Sequence, residues 1–235
     1  MKTLCASIVL FISFSQLLAY GEKSNSIPLP ADGTIKVAFV LEDGATMIDF
    51  AGPWEVFQDV MMTADHKAIH EHEGMMKPDS LMPFQLFTVA ENKSPRRTSG
   101  GMQVIPDYTY ADAPIPNIVV VAAQSRNRAG EDWLRKVSGK ADVILSVCTG
   151  AFILARSGLL DGKEASTHHW FQDNFEKSFP NVKLKRGVRY VDNGKIVTSA
   201  GLSSGIDAAL HIVERYYGAD IAQATAEYME YRRGE

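Results

Sequence analysis

Short apolar runs alternate along this chain with longer stretches whose apolar positions recur at helical spacing. Ile35 to Leu41 is the first run; Glu42-Asp43-Gly44 closes it, so it reads as a buried strand and its turn. Phe84 to Ala90, Ile118 to Ala122 and Val143 to Val147 repeat the pattern. Helices are expected over Trp54 to Met62, with Pro53 in the first turn, over Glu131 to Lys140, and over Thr149 to Arg156, where Gly158 supplies the stop. Ile206 to Tyr217 is amphipathic and ends at Gly218; a last helix covers about Asp220 to Tyr231. Asp192-Asn193-Gly194, between Val188 to Val191 and Lys195 to Thr198, is a hairpin turn. Residues 63–82 are polar and read as a loop or insertion. Strands alternating with helices predict an α/β layer fold with a mostly parallel sheet, to which the hairpin adds an antiparallel piece.

The first residues break this pattern. Lys2 precedes an uncharged apolar stretch, Leu4 to Phe14, and Ala19-Tyr20-Gly21 offers small residues for cleavage. That is the layout of a secretory signal over residues 1–21; the run is shorter than the roughly 20 residues that span a bilayer. A flexible, proline-containing lead-in follows over 22–34, and a single domain is expected over 35–235. The protein is thus expected to be exported, periplasmic or secreted, with no membrane attachment after signal removal.

Charge and cysteine usage narrow the partners. The chain has 24 Lys+Arg against 28 Asp+Glu, and loss of Lys2 leaves 23 against 28. No basic surface for nucleic acid is indicated. No GxGxxG or GxxxxGK[ST] motif points to a nucleotide, and no cofactor is implied. Two cysteines exclude a disulfide framework. Cys5 leaves with the signal, so Cys148 is left without a partner in an oxidising compartment.

Cys148 stands where the strand ending at Val147 runs into a helix, the layout of a nucleophile elbow. Gly150 and Ala151 allow a tight backbone approach. The first helical turn offers unpaired N–H groups and a positive dipole end, a field that predicts a lowered thiol pKa. A buried structural cysteine is the alternative on the local pattern alone. Asp49 lies between Ile48 and Phe50 just ahead of Gly52-Pro53; it either caps that helix or serves chemistry.

Together these segments resemble the ThiJ/PfpI superfamily, the class I glutamine-amidotransferase-like fold, and within it the isonitrile hydratase branch and the sensor domains of AraC-type regulators. The matching stretches are Gly44-x4-Asp49-x2-Gly52-Pro53-x-Glu55-Val56-Phe57, Ser146-Val147-Cys148-Thr149-Gly150-Ala151, Gly158-Leu159-Leu160-Asp161-Gly162-Lys163, Thr167-His168-His169-Trp170 and Ala200-Gly201-Leu202-Ser203-Ser204-Gly205-Ile206-Asp207. The resemblance implies a flavodoxin-like three-layer sandwich and a homodimer. It implies Cys148 as nucleophile, Asp49 as its acidic partner and Thr149 beside them. It further implies that water adds to the terminal carbon of an isonitrile, giving an N-substituted formamide. Ala123, Gln124, Gly150, His169 and Gly201 are the candidates for the substrate pocket and oxyanion site. Two departures stand out. Ala122-Ala123-Gln124-Ser125 occupies a place where the family often has a Gly pair, so glycine-only backbone angles are lost although N–H groups remain. Thr149 stands where the peptidase-like branch has His, which weakens a Cys–His peptidase reading. His168 or His169 could approach the site from the following strand, or could simply lie at the rim.

His66, His70, His72 and Glu73 invite a metal reading, but their surroundings are polar throughout and no HExxH motif is present, so a solvated loop and no metal site are expected. Arg96 and Arg97 read as a surface turn. Trp54, Trp133 and Trp170 are expected in the core or at an interface. Thr198-Ser199-Ala200-Gly201 either lines the pocket or is plain turn chemistry, and Ser203-Ser204 are expected to cap the next helix. Three functions remain: an isonitrile-hydratase-like lyase, a detoxification or repair protein for 2-oxoaldehydes, and a non-catalytic small-molecule-binding domain. Each implies a small-molecule partner. A DNA-binding helix-turn-helix pair is not expected after the last helix.

Overall fold

The computed structural model describes residues 26–60, 62 and 82–233. Its sheet is built from the apolar runs. β1 (Ile35–Val40) is central, with β2 (Phe84–Ala90) and β6 (Ile118–Val121) parallel to it on either side. β7 (Val143–Ser146) extends the parallel sheet beyond β6, and β11 (Ile196–Ser199) beyond β7. β5 (Tyr108–Thr109) forms one edge. At the other, β10 (Tyr190–Asp192) pairs antiparallel with β11. The full order is β10-β11-β7-β6-β1-β2-β5. Two short ribbons stand apart, β3 (Arg96–Arg97) with β4 (Gln103–Val104), and β8 (Glu164–Ala165) with β9 (Lys183–Leu184).

Side chains alternate across a strand, and in a sheet buried on both faces each alternation finds a core. Val37, Phe39, Val120 and Leu145 pack under α1 (Met47–Gln58), α5 (Ser204–Tyr217) and α6 (Ala219–Tyr228). Ala38, Val40, Val119, Val121 and Ile144 pack on the other face with α2 (Arg128–Ser138), α3 (Gly150–Arg156) and α4 (Gln172–Ser178). This is the expected α/β sandwich with a mostly parallel sheet.

The hairpin turns at Gly194, φ +81°, where Asp192 Oδ1 accepts the Gly194 N–H at 2.6 Å. The first helix departs from expectation. It begins at Met47, so Pro53 lies in its interior and leaves the Asp49 carbonyl without its usual i+4 donor. Packing compensates: Phe50, Val56 and Phe57 are buried, and Gly52 presses on Ile206 of α5 so closely that an added Cβ would lie 2.9 Å from Ile206 Cγ1. Trp133 is buried and Trp54 packs on Phe39, but Trp170 is 81% exposed, outside the core. Residues 1–21 and the His66–Glu73 segment lie outside the described residues.

Candidate functional site

Because β1, β6, β7 and β11 are parallel, their carboxyl ends open on one edge of the sheet, where ligands bind in such folds. Four segments meet there: Cys148 after β7, the first turn of α1 carrying Asp49, Ala122-Ala123 after β6, and the Ala200–Ser204 turn after β11.

Cys148 has φ +59°, a left-handed conformation that costs a non-glycine residue about 1–3 kcal/mol. Its surroundings hold it there. The Cys148 N–H donates to the Ala200 carbonyl at 2.9 Å, and the Thr167 hydroxyl donates to the Cys148 carbonyl at 2.8 Å. Gly150 closes the elbow. A Cβ at that position would lie 2.2 Å from the Val121 carbonyl oxygen, so only glycine lets α3 start this close to β6.

Asp49 is 0% exposed. Its Oδ2 accepts the Ala123 N–H at 3.1 Å, while its buried Oδ1 lacks a partner of ordinary hydrogen-bond geometry. Burial pushes its pKa up to about 6, against the opposing pull of the Ala123 N–H, the Cys148 thiol and the Leu202 N–H. The Cys148 thiol, 6% exposed, is pushed up to about 12, first by burial and then by the Asp49 charge; the N–H groups of Thr149 and Leu202 pull it part of the way back. The expected lowering is therefore reversed. The field of a seven-residue helix is outweighed by desolvation and by a carboxylate that the fold brings from α1. At neutral pH the pair rests as a thiol beside a carboxylate, an acid–base couple with its proton on sulfur.

The other expected site residues fall in several places. Thr149 precedes α3, turns its N–H toward the thiol and makes no side-chain cap. Ala123 holds Asp49 with its N–H and accepts the Thr46 N–H at 2.8 Å, so its amide is engaged as a carboxylate anchor rather than free for an oxyanion. Gln124 accepts the Glu42 N–H at 2.8 Å, tying the segment after β6 to the end of β1. Gly201 seats the His168 ring, whose Cδ2 lies 2.2 Å from where a Cβ would be. His169 stacks on His168 at 4.6 Å, and both belong to a tight turn running into the 3₁₀ segment His169–Phe171 rather than to a strand. Burial and the neighbouring His169 lower the His168 pKa, which favours the neutral ring. Ser203 precedes α5 without a capping bond; its hydroxyl instead accepts from Arg189 at 3.4 Å. Arg96 is drawn to the buried Glu42 at 3.3 Å.

Leu202 is the residue to which the sequence assigned no role. It too is left-handed, φ +53°, and its N–H addresses both members of the pair. The available signal was the small-residue run Gly201-Leu202-Ser203-Ser204-Gly205 ahead of a helix. Exposed apolar side chains, Ile48 beside Asp49 and Leu202 itself, flank the site. Among the described residues no group of three His, Cys, Asp or Glu is placed to hold a metal, and no helix is long and apolar enough to cross a membrane.

The sequence pattern of the DJ-1/PfpI family matches residues 35–215. The chain belongs to the DJ-1/PfpI family. Among relatives, isonitrile hydratase of Pseudomonas putida is 27% identical over 203 residues, covering 84% of this chain and 78% of that protein. The HTH-type transcriptional regulator GbdR of Pseudomonas aeruginosa is 30% identical over 140 residues, which is 57% of this chain but 38% of the regulator. A solved ThiJ/PfpI family protein from Pseudomonas syringae superposes with TM-score 0.69 at 21% identity, over 86% of this chain and 77% of that one. The relatives of this chain thus include a named enzyme and a named regulator.

Proposed function

We propose that this protein is a cysteine-dependent lyase that hydrates isonitriles, R–N≡C, to N-substituted formamides. The observation that carries the reading is the buried Asp49 carboxylate, with a pKa of about 6, facing a protonated Cys148 on a strained elbow. A general base with a pKa near the working pH is the effective one. Asp49 takes the thiol proton as sulfur attacks the terminal carbon, then returns it to that carbon, giving a thioimidate, R–N=CH–S–Cys148. It next takes a proton from water as the oxygen adds to the same carbon, and passes that proton to nitrogen. Collapse of R–NH–CH(OH)–S–Cys148 breaks the C–S bond; the hydroxyl proton returns to sulfur through Asp49 and R–NH–CHO leaves. The Thr149 and Leu202 N–H groups favour charge at sulfur, so they assist both its attack and its departure. The neutral, apolar flank of Ile48 and Leu202 suits an uncharged substrate.

The test is formamide production from alkyl isonitriles by the purified protein, with Cys148→Ala as control and circular dichroism to confirm folding. Turnover that survives in Cys148→Ala would sink the nucleophile assignment. Conversion of 2-oxoaldehydes with none of isonitriles would assign carbonyl detoxification instead, and binding without turnover a sensor. We further propose export through residues 1–21 and a homodimer. N-terminal sequencing of the mature protein and sedimentation in solution check these.

A further inference from the structure

The Leu202 amide is useful only if the Ala200–Ser204 turn keeps its strained shape, and the fold braces that turn from both ends. On one side, the Ala200 N–H donates to the Arg189 carbonyl at 2.8 Å while the Ala200 carbonyl accepts from Cys148. On the other, the Arg189 guanidinium reaches the Ser203 hydroxyl at 3.4 Å, and the Tyr231 hydroxyl lies 3.4 Å from the Ser203 carbonyl. Asp207, buried in the first turn of α5, gathers the set: Arg189 Nε donates to its Oδ2, and the Tyr231 hydroxyl lies 3.1 Å from the same atom. Tyr231 also accepts from Arg189 at 3.2 Å. Leu202 thus sits between two fixed neighbours, in a conformation that leucine does not adopt unaided.

We infer that Arg189, Asp207 and Tyr231 are positioning residues that hold the Leu202 amide against the Asp49–Cys148 pair. The inference rests on that pair being the reactive one, not on which substrate it takes. Among the described residues the titratable group that acts on the thiol is Asp49, from α1; His168 packs on Gly201 of the neighbouring turn. Withdrawing the Leu202 N–H removes a donor from the thiolate and the carboxylate alike, so both become harder to ionise.

The experiment is the pH dependence of Cys148 alkylation by iodoacetamide, which needs no substrate and so succeeds or fails independently of isonitrile turnover. Tyr231→Phe deletes one hydroxyl. It should slow alkylation at pH 8 about threefold to tenfold and move the profile to higher pH, with thermal unfolding nearly unchanged. Leu202→Gly relieves the left-handed strain, so Tyr231→Phe introduced on that background should have a smaller effect. Asp207→Asn serves as a second lesion in the brace. Wild-type profiles in folded Tyr231→Phe and Asp207→Asn, or equal effects of Tyr231→Phe with and without Leu202→Gly, would overturn the inference.

Discussion

Asp49 and Glu131 are two acids in the same kind of place with opposite surroundings. Each lies in the first turn of a helix that follows a strand of the parallel sheet, and each is buried. Burial alone would raise the Glu131 pKa. Arg126 at 2.9 Å and Arg156 at 3.0 Å outweigh that effect and hold it below the usual carboxylate range. Asp49 has no guanidinium. It has only the neutral Ala123 and Leu202 N–H groups and a neighbouring thiol, and its pKa rises to about 6. A structural acid is supplied with its counter-charge. An acid denied one keeps its appetite for protons, which is what a base needs.

The largest expected difference is in turnover. Asp49→Asn should lower formamide production about 10³-fold, as loss of a general base does. Glu131→Gln should change it less than about threefold per folded molecule, and comparable losses in the two would break the contrast. Next comes stability. Glu131→Ala should destabilise by about 3 kcal/mol in urea unfolding at pH 7, because Arg156 is left half-buried beside a cavity. A cost under about 1 kcal/mol would mean that the cluster contributes little.

Smaller and opposite in sign, Asp49→Asn should stabilise by about 2 kcal/mol at pH 7 and hardly at all at pH 3.5. The folded pKa of Asp49, about 6, stands above its ordinary 3.8. The folded state therefore binds the extra proton between those values, and the penalty grows as pH rises through that window. Glu131, depressed below 4.5, works the other way: its contribution is present above 4.5 and is lost as pH falls further. Unfolding free energies measured across pH 3 to 7 should separate the two. The smallest effect is on the acid limb of kcat/KM. It should fall off near pH 6 and stay within about 0.3 pH of wild type in Glu131→Gln, since that acid does not touch the pair.

Most of this architecture was legible because continuous apolar runs and turn chemistry are local signals. The four apolar runs became parallel strands, and Asn193-Gly194 became the hairpin. The cysteine was legible as an elbow because strand, small residues and helix are adjacent in the chain. The direction of its pKa was not. It depends on a carboxylate from another element and on desolvation, neither of which is written around Cys148. The start of α1 was misplaced because Pro53 normally marks a first turn, and only the packing of Gly52 on Ile206 shows why an interior proline is tolerated. Ala123 read as an oxyanion donor, but its amide is already engaged by Asp49, a pairing between residues far apart in sequence. Trp170 read as core or interface, and the turn that seats His168 on Gly201 keeps it out of the core.

The high proton affinity of Cys148 should also slow its oxidation. With its pKa pushed up by burial and by the Asp49 charge, the resting thiol carries little thiolate at neutral pH. Peroxide reacts with the thiolate, so sulfenic acid should form slowly despite the absence of a disulfide partner among the described residues. Its 6% exposure further limits how readily peroxide reaches the sulfur. The rate at which sulfenic acid accumulates is then a clock for how often the buried sulfur meets solvent.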